Sequence, residues 1–291
     1  MVEGDAVLKI VLAASDGPGE INEDKVGFCG NAAWVIDGAT GVGAGLLPEP
    51  SDAAWLAQAA SDALTIVLSQ QPESSTRDVL REVMARCRSE LYRQSIRPVG
   101  PDDHLPSAAF AMVRIMDGYA ELTTLADCRV VAHNEAGEAQ LLGSSALDAI
   151  EGRTIELAAK LLRGNPSIST QDLKAQLLPH LQGNRGLMNQ PHGYWVLGTD
   201  PAAADHLWQQ RIPLSAGRRF AIASDGFLRL IELFGAASAA DLLAISSELE
   251  WSRWLAELRL LERKEESRLS FPRVKPEDDA SLIICEWEGE I

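Results

Sequence analysis

A chain of 291 residues with 46% hydrophobic and 23% charged side chains can bury a substantial core, as one large domain or two small ones. Its 42 acidic residues against 26 basic ones give a formal net charge of -16, which repels nucleic-acid phosphates and anionic bilayers and argues against both as partners. Four scattered cysteines, Cys29, Cys87, Cys128 and Cys285, form no CxxC pair, which speaks against a zinc cage or disulfide framework and for a reducing, cytoplasmic setting.

The first apolar stretch, residues 6–14, is short, interrupted by Lys9 and without a basic lead-in, so it reads as a strand and not as a secretory signal. No apolar run approaches the roughly 20 residues of a membrane helix. Residues 26–36 read as a second strand, stopping at Asp37. From Ser51 to Gln71 the residues Ala54, Trp55, Ala59, Ala63, Ile66 and Val67 recur near helical spacing behind the capping residues Ser51 and Asp52. A second helix is expected from Thr76 to Tyr92, with Val79, Leu80, Val83, Cys87 and Leu91 on one face, before "RPVGPDDHLP" breaks the chain. Three strands follow in "SAAFAMVRIM", "YAELTTLAD" and "RVVAHN", joined as a meander by the Asp117-Gly118 turn and a corner at Asp127 to Arg129. The polar segment at about 145–192, helical near 154–163 and 170–181, reads as an insertion or lid. Strand patterns return in "GYWVLG", "RFAIA" and "ASLIICEW", and residues 225–262 are mostly helix-forming. Without repeats or an interdomain linker, the expectation is one domain, 1–291, with a flap-like segment at about 145–192. Strands followed by helices in two rounds favour an α+β sandwich over a doubly wound sheet.

The chemistry is carried by carboxylates. "AAWVIDG" and "RFAIASDG" each run an apolar strand into Asp-Gly, at Asp37 and Asp225, placing an acid at a sheet end and letting the next backbone unit approach a ligand closely. Asp278 and Asp279 stand just before a strand; if that strand is antiparallel to the one ending at Asp225, both acids reach the same edge. Glu23 and Asp24 precede the strand that ends at Asp37. An isolated Asp-Gly is an ordinary turn, but four acidic stations in these strand contexts suggest a cluster that stays anionic only with cations among them. Oxygen ligands select hard ions such as Mg2+ or Mn2+, and two such ions about 3.5 to 4 Å apart can aim a shared hydroxide at phosphorus. Metal-assisted phosphoester hydrolysis is the expected reaction.

The ordered segments "NED", "VIDGATG", "LADCR", "ASDGF" and "DDAS", with "PSAAFAMV" between, resemble the motifs of the type 2C metal-dependent protein phosphatases from Glu20 to Ile284. The resemblance implies a four-layer α-β-β-α sandwich: two antiparallel sheets face to face, flanked by helices. It implies Asp37 as the carboxylate bridging two metals, the Gly38 carbonyl and Glu23 completing the first site, and Asp225 and Asp278 holding the second. Asp24 would support Glu23, and Asp127 with Asp225 would hold a weaker third ion. Asp37, Asp225 and Asp278 are thus the expected catalytic residues, and phosphoserine or phosphothreonine proteins, with a cognate kinase, the expected partners. Four positions depart from the family pattern: Gly19 where a phosphate-binding arginine is frequent, Ala39 where some members have histidine, Arg229 in place of an aspartate, and Asp279 in place of asparagine.

Arg229, one helical turn from Asp225, could attract phosphate or form a local salt bridge, the latter favoured. Other signals carry less. "GATGVGAG" has Leu46 where a dinucleotide loop needs glycine, and no GKS or GKT follows. The five histidines form no HExxH, no GxSxG elbow is present, and Trp251 with Trp254 reads as helix packing. The basic run Arg259, Arg263, Lys264, Arg268, Arg273 and Lys275 is interleaved with acids and reads as a solvated helix face. Two rivals to the phosphoprotein phosphatase remain: a catalytically weak phosphatase-like binding or regulatory module, and a hydrolase of small phosphate esters.

Overall fold

In the computed structural model, which describes residues 8–289, β1 (Leu8–Asp16) precedes a hairpin of β2 (Asp24–Cys29) and β3 (Ala32–Gly38). Residues 6 and 7 of the first expected strand, and the outermost ends of the 1–291 domain, lie outside the described residues. Two helices, α1 (Asp52–Gln70) and α2 (Thr76–Gln94), lead to two hairpins, β4 (Ala108–Met116) with β5 (Tyr119–Leu125) and β6 (Arg129–His133) with β7 (Ala139–Leu142); the expected meander is broken between β5 and β6, which belong to different sheets. The helices α3 (Asp148–Gly164) and α4 (Thr170–Arg185) and a 3-10 turn at Pro201–His206 come next. The chain closes with β8 (Trp208–Pro213), β9 (Arg218–Ala223), α5 (Asp225–Glu232), α6 (Ala239–Ala244), α7 (Glu248–Arg263), α8 (Ser267–Ser270) and β10 (Ala280–Trp287).

The strands form two five-stranded sheets, β2-β3-β4-β5-β8 and β1-β10-β9-β6-β7, and every pairing within them is antiparallel. Strand periodicity explains the four layers. Along β3, Trp34 and Ile36 point outward into a core shared with α1 and α2, while Ala33 and Val35 point inward to meet Phe220, Ile222 and Ile283 of the other sheet. On the far side Leu282, Ile284 and Ala221 pack against Phe227, Leu242, Trp251 and Leu258 from α5, α6 and α7. Each large side chain so buried contributes roughly 1.5–3 kcal/mol. The result is the α-β-β-α sandwich, and no helix among the described residues is long and apolar enough to cross a membrane.

Several local expectations need correction. Residues 26–36 are not one strand: Gly30, at φ 57, turns the chain so that 24–29 and 32–38 pair with each other. "GYWVLG" makes only isolated bridges, Ala108 to Leu197 and Met188 to Tyr194, because its backbone bonds locally to Asn189. The strand beside β5 is instead "WQQRIP", β8, an edge strand with one wet face. The basic run is not a uniformly solvated face: Arg259 and Arg273 are buried, the former on Glu262 and the latter on the backbone carbonyls of Phe271, Pro276 and Glu262.

All four cysteines are free, and three are buried. Burial pushes the Cys87 and Cys285 thiols up to about 12 and Cys128 well above the usual thiol range, leaving each a poor nucleophile. Titration with Ellman's reagent is therefore expected to find about one reactive thiol, Cys29, in the native protein and all four in denaturant. Rapid native reaction of more than one would contradict this packing.

Candidate active site

Strand register gathers the acids. In the β2–β3 hairpin Asp24 stands opposite Asp37, and the Gly38 amide donates to the Glu23 carbonyl at 3.0 Å. A Cβ at Gly38 would lie 2.6 Å from the Glu23 carbonyl oxygen and 2.9 Å from that of Ala53, so only glycine fits this turn. In the other sheet β9 and β10 pair antiparallel, Ala223 opposite Leu282, and the ladder extends through the Ser224 amide to the Ser281 carbonyl at 3.2 Å. Asp225, the first residue of α5, and Asp278, just before β10, consequently reach the same edge. Asp127 sits where the chain crosses from one sheet to the other. The preceding Ala126 adopts φ 56, and its amide donates to the Trp195 carbonyl at 3.0 Å.

Asp37, Gly38, Asp127, Asp225 and Asp278 line one cavity of about 750 Å³ between the sheet edge and the helices α3 and α4. Glu23 lines a smaller neighbouring cavity of about 300 Å³, which shares Ala39, Thr40 and Arg185 with the first. Burial, then the charges on Asp24, Asp225, Asp127 and Asp278, push Asp37 well above the usual carboxylate range. Burial and Asp225 push Asp127 up to about 6. Glu151, in the first turn of α3, is pushed up to about 10 by burial and the neighbouring Asp127 and Asp225.

Asp24 is 2% exposed, and both its carboxylate oxygens are buried without a hydrogen-bond partner. Of the nearby hydroxyls, Ser281 donates to Ser15 Oγ at 2.8 Å, and Ser224 Oγ accepts from the Ser281 amide at 2.9 Å and keeps its own proton; both moderate the shift of Asp24 without offsetting its burial. Burial pushes Asp24 up to about 7. An orphaned carboxylate beside mutually repelling acids, all oxygen donors, fits a hard divalent cation. Among the described residues no three acids are already gathered in one coordination sphere. Two of them are engaged elsewhere: Glu23 accepts from Ser51 Oγ at 2.5 Å and from Thr40 Oγ1, and Asp278 is held by two cations. Asp24→Asn is expected to raise the melting temperature of the metal-free protein at pH 8 by a few degrees, for about 1–2 kcal/mol of relieved repulsion, and to reduce the further rise on adding Mn2+. A lower metal-free melting temperature would show that Asp24 is not a buried liability.

Arg229 forms the salt bridge favoured over a free phosphate-binding role, but a largely buried one: Nη2 is 2.7 Å from Asp278 Oδ2 and Nη1 2.6 Å from Glu262 Oε1. Lys275 Nζ lies 2.7 Å from Asp278 Oδ1. Burial lowers the Lys275 pKa, but the surrounding acids, Asp278 first, outweigh it and the net shift is upward. Arg185, the last residue of α4, was not anticipated. Its Nη2 donates to the Ala39 and Thr40 carbonyls at 3.1 and 3.0 Å and its Nη1 to Ser107 Oγ, tying α4 to the loop that follows Asp37 and Gly38. Gln182 adds a bond to the Val42 carbonyl at 3.0 Å. Neither Arg185 nor Glu151 carries a local sequence signal; only the fold brings them to the cavity.

Two antiparallel sheets face to face between layers of helices, with carboxylates from both meeting at one rim, define an α-β-β-α sandwich of the protein phosphatase 2C type. The chain belongs to the protein phosphatase 2C family, whose model matches residues 15–268. Similar solved structures include the Mycobacterium tuberculosis serine/threonine phosphatase PstP/Ppp, 14% identical with a TM-score of 0.60 over 97% of this chain and 100% of that one. The catalytic domain of PstP in complex with two manganese ions is 15% identical, with a TM-score of 0.55 over 97% and 99%. Staphylococcus aureus Stp1, a serine/threonine phosphatase, is 13% identical, with a TM-score of 0.56 over 99% and 98%. At these identities the likeness is one of fold. No curated protein sequence matches the chain.

Proposed function

We propose that this chain is a metal-dependent serine/threonine phosphoprotein phosphatase, a phosphoric monoester hydrolase acting on a cytoplasmic phosphoprotein whose serine or threonine a cognate kinase has modified. The observation that carries it is the convergence of Asp37, Asp127, Asp225 and Asp278 on one cavity, where burial and mutual repulsion hold Asp37 and Asp127 above their usual range. The family match and the manganese-containing structure of PstP support the same reading. The whole chain, 1–291, acts in it as one domain, with the segment at about 145–192 as the flap over the cavity.

Asp37, the Gly38 carbonyl and Glu23 would hold one Mn2+ or Mg2+; Asp225 and Asp278 are the acids available with Asp37 for another, and Asp127 with Asp225 for a weaker third. Bound there, divalent ions activate the attacking water and offset the charge of the phosphoryl oxygens. Asp37 fixes the position of that chemistry because β3 and its pairing with β2 and β4 leave it no freedom. Arg185 holds the carbonyls of Ala39 and Thr40, so that the loop at the mouth is bonded directly to α4. With Ala39 at the position where some relatives carry histidine, the departing serine or threonine oxygen takes its proton from water in the cavity.

The test is Mn2+-dependent release of phosphate from phosphoserine and phosphothreonine peptides and from p-nitrophenyl phosphate, abolished by EDTA; no release from either class at saturating Mn2+ sinks the proposal. One observation favours the weaker module as a second reading, namely that Asp278 is already paired with Arg229 and Lys275. Retention of phosphopeptides without turnover would select it.

A further inference from the structure

Asp278 differs from the other acids of the cavity in having both oxygens taken by cations of its own chain. Arg229 Nη2 is 2.7 Å from Oδ2 and Lys275 Nζ 2.7 Å from Oδ1, and the same ammonium is 4.0 Å from Glu23 Oε2. Among the described residues no lysine or arginine pairs in this way with Asp37, Asp127 or Asp225. The pairing therefore falls on one side of the cluster only, the side where Asp225 and Asp278 would share an ion with Asp37.

The two cations are held differently. Arg229 is fixed from behind: its Nη1 is 2.6 Å from Oε1 of Glu262, whose side chain is 0% exposed and whose Oε2 takes Arg259 at 2.7 Å. Arg259 also donates to the Asp278 carbonyl at 2.8 Å, so the guanidinium, its counter-acid and the backbone of Asp278 are one bonded unit. Swinging Arg229 away would leave a buried carboxylate short of a partner. Lys275 is the freer of the two, with a 30% exposed side chain lining the cavity three residues before Asp278. Together they bring two positive charges to Asp278, the formal charge of one divalent ion. A metal entering there must displace the ammonium and then sit beside a guanidinium that cannot retreat.

Building on the metal-dependent reading above, we propose that Arg229 and Lys275 take the place of the ion that Asp225 and Asp278 would share with Asp37, so that the chain holds a single divalent ion, at Asp37, Glu23 and the Gly38 carbonyl.

The experiment counts metal and does not depend on turnover. The full chain is dialysed to equilibrium against Mn2+ and the bound metal measured per folded chain by atomic emission, for the wild type, Lys275→Met and Lys275→Arg, with circular dichroism confirming that each is folded. The expected counts are one for the wild type, two for Lys275→Met and one for Lys275→Arg, which keeps the charge. Two equivalents in the wild type, or a count that Lys275→Met leaves unchanged, overturns the proposal. Phosphopeptide hydrolysis is scored separately on the same samples. Counts of one and two without hydrolysis would uphold the cation replacement and defeat the phosphatase, whereas a wild type that binds two ions and hydrolyses would do the reverse.

Discussion

Asp37→Asn is expected to lower kcat for p-nitrophenyl phosphate by about a thousandfold, the loss of roughly 4 kcal/mol of transition-state stabilisation, while making the metal-free protein more resistant to heat. Both effects follow from one location. Asp37 closes β3, where the ladder to β2 sets it opposite Asp24 and the ladder to β4 opposite Ala109. Burial there, and then the charges of Asp24, Asp225, Asp127 and Asp278, hold its carboxyl well above the ordinary range. Asparagine has nearly the same shape but no charge, so the packing survives while the repulsion is relieved. Stabilisation of about 1–2 kcal/mol would raise the melting temperature of a chain this size by several degrees at pH 8. The same change removes the acid best placed to hold a cation, so the Mn2+-induced rise in melting temperature should shrink sharply. Activity and thermal stability moving in opposite directions distinguish a binding acid from a structural one. A variant losing both would assign Asp37 to the fold, and one keeping its activity would remove it from the site.

The acids were legible because each is signalled locally. A strand apolar on both faces, such as "AAWVI", has to lie between two layers, and an Asp-Gly at its end has to stand at the rim. The pairing of Asp225 with Asp278 needed one topological assumption, an antiparallel β9 and β10, and the register supplies it. The cations and Glu151 were not legible in this way. Lys275 and Arg259 read as part of a solvated basic face because their burial is decided by where α7 and the segment before β10 pack, which no periodicity reports. Arg185 and Glu151 reach the cavity on α4 and α3, which are seated through Leu173, Leu177 and Leu162 on Leu269 and Val274, far along the chain. Edge strands failed for a different reason. In "WQQRIP" one face is wet and its alternation is polar, whereas "GYWVLG" looks like a strand but bonds locally around Asn189 and reaches β4 only at Ala108.

A contact that leaves no room for a single added methyl group lies behind the acids. Gly226→Ala is expected to destabilise the protein by about 3 kcal/mol or more, lowering its melting temperature by roughly 10 °C, and to depress Mn2+-dependent activity with it. Gly226 is the second residue of α5, packed against the chain entering β10. A Cβ there would fall on the Asp279 carbonyl and lie 3.2 Å from Asp278 Cβ. Backbone is the obstacle, so no rotamer change relieves it. Nor can the strand retreat, because Ala223 faces Leu282 in the ladder and the Ser281 amide donates to Ser224 Oγ at 2.9 Å. Relief has to come from shifting α5 away from β10, which separates Asp225 from Asp278. Gly152→Ala in α3 is the control: an added Cβ there meets nothing within 4 Å, and replacing glycine inside a helix is worth about 0.5–1 kcal/mol in the stabilising direction. One substitution should therefore lower the melting temperature and the other raise it slightly. If Gly226→Ala melts with the wild type, the close approach of α5 to β10 is not what holds Asp225 and Asp278 at one edge. If it melts early but keeps full activity, the two acids do not act as a pair.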